Sequence, residues 1–181
     1  METIIHLDET LFLYLNKMHS PFFDDAMLWI TNKKSWIPFY IILLLLIIKE
    51  SKKIAWKPIL AIILTIALAD NIASRLLKNT VKRLRPCYNK ELDDFIHLVG
   101  NCGGQFGFAS SHTANSFGLA MILFIMYGKK YPATKWLFAW ASLVSYSRIY
   151  VGVHYPLDVV AGILIGIFAA WVVSKINFLK Q

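Results

Sequence analysis

Five apolar stretches, at residues 35–49, 57–77, 112–128, 133–150 and 154–175, leave this chain few architectures to choose from. A backbone inside hydrocarbon must satisfy its own hydrogen bonds, so each stretch is expected to be a helix near bilayer length. A soluble domain has to bury such helices under polar surface, and 181 residues supply too little chain to do so. With 57% hydrophobic residues and a mean hydropathy of +0.52, the chain is expected to let lipid cover the outer faces instead. The predicted fold class is therefore all-α: an integral membrane helical bundle of about five transmembrane helices, forming one domain over residues 1–181, with its transmembrane core at 35–175.

Residues 1–34 have a different pattern. Ile4, Ile5, Leu7, Leu11, Leu15 and Met18 recur at roughly helical spacing, with Asp8, Glu9 and Lys17 between them. Pro21 interrupts this run, and Phe22, Phe23, Met27, Leu28 and Ile30 make a second apolar face beside Asp24 and Asp25. Neither piece is long or clean enough to span, so both are expected to be amphipathic helices lying in the membrane interface. The acidic N-terminus also lacks the basic-then-apolar order of a cleavable signal peptide.

The formal charge of +8 is scattered at the ends of apolar runs rather than gathered into a stripe with interleaved aromatics. Anionic lipid headgroups explain that distribution, and no nucleic-acid partner is expected. Five crossings put residues 78–111 and the 150–154 turn on one side of the membrane. The opposite side carries Lys49, Lys52, Lys53, Lys57, Lys129, Lys130, Lys135, Lys175 and Lys180 against the single acid Glu50. Setting aside Lys78, Arg85 and Arg148 as substrate ligands leaves seven basic residues on the first side, which leans that side outward across a bacterial inner membrane. Cys87 and Cys102 share the 78–111 connection; a disulfide there and two free thiols are both open readings.

The chemistry-bearing residues fall at the ends of the apolar runs. In Ser147-Arg148-Ile149-Tyr150-Val151-Gly152-Val153-His154-Tyr155-Pro156-Leu157-Asp158, a helix starting near His154 places Asp158 one turn on, within reach of one ring nitrogen. The other nitrogen is left free to attack, and Arg148 offers a permanently charged fork suited to phosphate oxygens. The plainer alternative is an interfacial arginine beside a locally paired His and Asp. Asp70, Ser74 and Lys78 are spaced by four, with Arg85 two turns further on and Pro86 ending the element, so Lys78 and Arg85 are expected to point to a common spot. Gly100 to His112 is a glycine-rich connection in which Ser110 and Ser111 precede a helix whose amides attract anions, and His112 stands at its entry. Asp70 is assigned a supporting role, and His6, His19 and His97 are read as interfacial or loop residues.

Lys78 with Arg85-Pro86, then Ser110-Ser111-His112, then Ser147-Arg148 with His154 and Asp158 resemble, in order, the three signature motifs of the type 2 phosphatidic acid phosphatase superfamily. The resemblance implies a lipid phosphate phosphatase in which Lys78, Arg85, Ser110 and Arg148 bind phosphate. His112 is then the general acid, and His154 the nucleophile backed by Asp158. Ser111 stands where the family usually has glycine, keeping an amide at the phosphate and adding a hydroxyl. The implied reaction is metal-independent, needs no cofactor and passes through a phosphohistidine. Metal ligation by the two histidines and Asp158 is disfavoured because three cations surround the site. Undecaprenyl diphosphate is the favoured substrate, with phosphatidylglycerophosphate, phosphatidic acid and lipid A phosphates as alternatives. A non-catalytic protein that binds anionic lipid is the reading from a different class. The sequence does not specify the oligomeric state.

Overall fold

The computed structural model describes residues 2–177. Within them seven principal helices follow one another: α1 (Glu2–Asn16), α2 (Pro21–Thr31), α3 (Ile37–Ser51), α4 (Trp56–Val81), α5 (Ser111–Tyr127), α6 (Trp136–Tyr150) and α7 (Pro156–Ser174). Among the described residues α4 and α7 are long and apolar enough, by length and composition, to cross a membrane. At 15, 17 and 15 residues, α3, α5 and α6 fall short of a hydrocarbon thickness of about 30 Å at about 1.5 Å per residue. Single 3-10 turns at Lys33–Trp36 and Pro132–Lys135 lead into α3 and α6 and lengthen them. Lys180, counted above among the lysines opposite the site, lies outside the described residues.

Lipid-facing surfaces are written on the helices as apolar side chains that nothing in the protein covers. Ile41, Ile42, Leu45 and Leu46 on α3 are exposed, as are Val160, Leu164, Phe168 and Trp171 on α7. In water such faces would drive association; in a bilayer they are solvated. The chain is an integral membrane bundle.

At the centre α5 packs against α7 at backbone distance, and glycine permits it. A Cβ on Gly162 would lie 2.6 Å from the Ser110 carbonyl oxygen and 2.9 Å from Thr113 Cβ. One on Gly166 would lie 2.7 Å from the Gly118 nitrogen. This close α5–α7 contact seats Ser110 beside the first turn of α7. Ile122, Leu123, Ala120 and Phe117 of α5 continue the core towards the opposite end with Ala170 and Val173 of α7.

The N-terminal helices pack with polar residues inward. The face that α1 buries is Asp8, Phe12 and Asn16, spaced by four, while Ile4, Leu7 and Leu11 are exposed. Asn16 is fully buried: its Nδ2 donates to the carbonyls of Tyr150 (2.7 Å), His97 (3.0 Å) and Ile149 (3.2 Å), and its Oδ1 accepts from the His97 amide at 2.7 Å. One amide side chain therefore fastens α1 to the end of α6 and to the connection after α4.

Candidate active site

The start of α7 determines the arrangement. Tyr155 is extended at the helix entry and Pro156 takes the first helical position, where a missing N–H costs nothing. One turn on, Asp158 Oδ2 lies 3.1 Å from His154 Nδ1 and accepts the Tyr155 amide at 3.1 Å, while Oδ1 accepts from Arg83 Nη1 at 3.4 Å. His154 and Asp158 are both buried. His154 sits in the turn between α6 and α7, outside the helices. Burial, followed by the charges of Arg148, Arg85 and Lys78, lowers its imidazole well below the ordinary value, which favours the neutral ring. A proton on Nδ1, facing the Asp158 carboxylate, would leave the lone pair on Nε2.

The three cations arrive from three elements. Lys78 is half-buried near the end of α4, after a π-helical stretch at Asn71–Leu77. The helix stops at Val81, and Lys82 is left-handed (φ 50°), so Arg85 does not lie on the α4 face as its spacing suggested. It is carried back by an extended segment: Leu84 bridges Phe106 antiparallel, the Arg85 amide donates to the Gln105 carbonyl at 3.1 Å, and the Gly107 amide donates to the Arg83 carbonyl at 2.9 Å. The buried Arg85 guanidinium donates to the carbonyls of Cys102 (3.1 Å) and Phe106 (3.3 Å). A disulfide between Cys87 and Cys102 staples this loop, resolving the question the sequence left open. Arg148, in the last turn of α6, donates through Nη1 to Thr31 Oγ1 at the end of α2, and its buried Nε has no partner among the described residues.

Ser110 precedes α5 and is fully buried, its Oγ accepting from Thr113 Oγ1 at 3.1 Å. Its amide donates to the Asp158 carbonyl at 3.0 Å. That bond ties α5 to α7. Ser111 and His112 open α5 and are half-buried, and the charged neighbours that act on His112 include Arg148, Lys33 and Lys78. His112 also stands at one end of a groove of about 490 Å³ that runs between α3, α4 and α5 and is walled by Tyr40, Leu43, Ile47 and Ile59. Asp70 accepts from Ser74 Oγ (3.2 Å) and Asn115 Nδ2 (3.4 Å), and its charge acts on Lys78.

Two residues at the site had no sequence signal of their own. Asp8 Oδ1 accepts the Leu157 amide at the start of α7 (2.9 Å), and its Oδ2 pairs with Arg83 Nη1 at 2.7 Å without good hydrogen-bond alignment. Arg83 bridges Asp8 to Asp158, with its guanidinium 3.9 Å above the Tyr155 ring. Position 8 at helical spacing from Phe12 and Asn16 was the available clue. Asp8→Ala is expected to remove a helix-entry acceptor and leave Arg83 half-paired. A loss of about 1–3 kcal/mol follows, read as a lower melting temperature in detergent. An unchanged melting temperature would show that Arg83 and the α7 start do not depend on Asp8.

Residues 54–181 match the family described as the PAP2 superfamily. The chain belongs to it. A PAP2 relative from Bacteroides thetaiotaomicron, named lipid A 4'-phosphatase, is 40% identical over 94% of this chain and 77% of its own length. The crystal structure of Aquifex aeolicus LpxE superposes with a TM-score of 0.70 at 29% identity, over 93% of this chain and 95% of that one. A transmembrane PAP2-type phosphatidylglycerolphosphate phosphatase from Bacillus subtilis gives a TM-score of 0.76 at 22% identity, over 100% of this chain and 89% of that one. The fold is thus that of transmembrane PAP2 proteins, and this chain is a membrane PAP2 phosphatase.

Proposed function

We propose that the protein hydrolyses a phosphate monoester of lipid A by way of a phosphohistidine at His154, with the whole chain acting as one catalytic domain. The observation that carries the chemistry is the buried His154 Nδ1···Asp158 Oδ2 contact of 3.1 Å, which leaves Nε2 as a nucleophile among three cations. Lys78, Arg85 and Arg148 neutralise the phosphoryl oxygens; the partnerless Arg148 Nε is a donor that a phosphate oxygen satisfies. Ser110 and Ser111 border the same space at the start of α5. Nε2 forms a bond to phosphorus as the P–O bond to the lipid breaks, and His112 gives its proton to the departing oxygen. His112 then takes a proton from water, which displaces His154 and releases inorganic phosphate. Charge neutralisation comes from fixed side chains, so the scheme needs no metal or cofactor. The groove beside His112 suits the apolar chains of a substrate that stays in the bilayer.

The similarity to the Bacteroides lipid A 4'-phosphatase, along nearly the whole chain, supports reading lipid A phosphate ahead of undecaprenyl diphosphate. The latter is the second reading, favoured by an outward-facing site. Phosphate release from purified protein in chelator, across lipid A, undecaprenyl diphosphate, phosphatidic acid and phosphatidylglycerophosphate, decides between them. Lipid A is expected to turn over about tenfold or more faster than the others, a transition-state preference of about 1.4 kcal/mol, and vanadate is expected to block it. Faster release from undecaprenyl diphosphate reverses the assignment, no release from any lipid leaves an anionic-lipid binder, and turnover restored only by added metal removes the metal-free scheme.

The site is proposed to face outward across a bacterial inner membrane. The Cys87–Cys102 disulfide supports this, since such bonds persist in oxidising compartments. With both cysteines replaced, a reporter cysteine at exposed Asp94 is expected to react with an impermeant thiol reagent in intact spheroplasts, and one at exposed Lys53 only after lysis. The reverse pattern inverts the topology.

A further inference from the structure

Apart from the His154 cluster, one other group of metal-ligating side chains comes together among the described residues. His97 Nε2 lies 2.9 Å from Asp24 Oδ1, and the His19 and His97 rings stack with centroids 3.5 Å apart and planes within 6°. A ligand atom from each of His19, Asp24 and His97 falls within 4.8 Å of the other two. His19 lies in the link between α1 and α2, Asp24 in α2, and His97 in the connection after α4.

We propose that His19, Asp24 and His97 form a binding site for a divalent transition-metal ion of the zinc class, which fastens the N-terminal helix pair to the connection beside the nucleophile turn. Two imidazoles and a carboxylate are a donor set zinc favours. Tetrahedral bonds of about 2.0–2.1 Å separate ligand atoms by about 3.3 Å, a little more than the 2.9 Å between His97 Nε2 and Asp24 Oδ1 and inside the 4.8 Å that contains all three ligand atoms. His19 is exposed, so its ring can turn out of the stack to bring a nitrogen to the ion, and a water takes the fourth position. The other two ligands are already held from behind. Asp24 Oδ1 accepts from Tyr150 Oη at 2.8 Å, and the His97 amide donates to Asn16 at 2.7 Å.

The mechanical consequence follows from what these anchors touch. Asn16 also holds the carbonyls of Ile149 and Tyr150, and the Val99 amide donates to the Val151 carbonyl at 3.3 Å, in the turn that carries His154. At its far end α2 presents Thr31 to Arg148. An ion joining α2 to the 97 connection would restrain the elements on which Arg148 and His154 sit, without approaching the reacting atoms.

The test uses full-length protein with its affinity tag removed, stripped with chelator, then titrated with zinc by calorimetry and with cobalt by absorption spectroscopy. One ion per chain is expected, with tetrahedral cobalt bands and a melting temperature raised by several degrees. His19→Ala is expected to weaken zinc binding about tenfold or more, leaving the metal-free melting temperature and phosphate release in chelator unchanged; Asp24→Asn provides a second measurement of affinity. Absence of uptake at micromolar zinc overturns the site. So does uptake that neither variant weakens, since the ion then lies elsewhere, for instance on His112 and His154. Loss of phosphate release in chelator that spares these binding results counts against the metal-free hydrolysis, not against this site.

Discussion

His154→Ala is expected to lower phosphate release by about 10³-fold or more, while the purified protein keeps its helical content and still binds anionic phospholipid. The two halves of that result come from different residues. Removing the imidazole removes Nε2, the proposed nucleophile. Lys78, Arg85 and Arg148 are untouched, so the attraction for a phosphate headgroup survives. The fold survives too, because Asp158 loses one of three partners and keeps the Tyr155 amide and Arg83. Residual turnover within about tenfold of the wild-type protein would mean that water, and not His154, attacks the lipid phosphate directly.

Gly166→Val is expected to have the largest effect on folding while altering nothing chemical. Its Cβ would meet the Gly118 nitrogen at 2.7 Å, a backbone atom that no rotamer change moves aside. To accommodate it, α5 and α7 must separate, and each carries one part of the site: Ser110 to His112 on the first, Asp158 on the second. Overpacking of this kind costs about 3 kcal/mol, equivalent to a melting temperature lower by about 10 °C for a chain of this size. Activity should fall with it, because the Ser110 amide and the Asp158 carbonyl no longer meet. A valine variant with unchanged melting and turnover would show that the two helices are not held together at this contact.

Local spacing made part of this molecule readable in advance. His154 and Asp158 were legible as a pair four residues apart at a helix start, although His154 lies in the turn before α7 and it is the first turn of that helix that brings Asp158 back to it. Arg85 was legible as a cation but not by its route. Its position comes from a left-handed residue at Lys82 and a bridge to Phe106, both products of a loop folding back. Asp8 and Asn16 resemble the polar side of an interfacial helix, yet both turn inward, because their partners Leu157 and Tyr150 stand 149 and 134 residues away. Hydropathy measures how apolar a segment is and says nothing of which polar group will meet it across the fold. The same limit hid Arg83, whose ion pairs with Asp8 and Asp158 link two chain segments that sequence periodicity cannot relate. Of the five apolar runs, α4 and α7 have full spanning length, α3 and α6 are shorter helices that a 3-10 turn extends, and α5 is a shorter helix of 17 residues.

The covalent role of His154 is tested most directly by trapping the intermediate. Purified protein is mixed with lipid A carrying labelled phosphate, denatured within the first turnover and digested, and the labelled peptide is sequenced. Label is expected on the peptide containing His154, in a linkage that survives base and is lost in acid, and absent from the alanine variant. Steady phosphate release with no labelled protein at any quench time, or label on another residue, would contradict a phosphohistidine at His154.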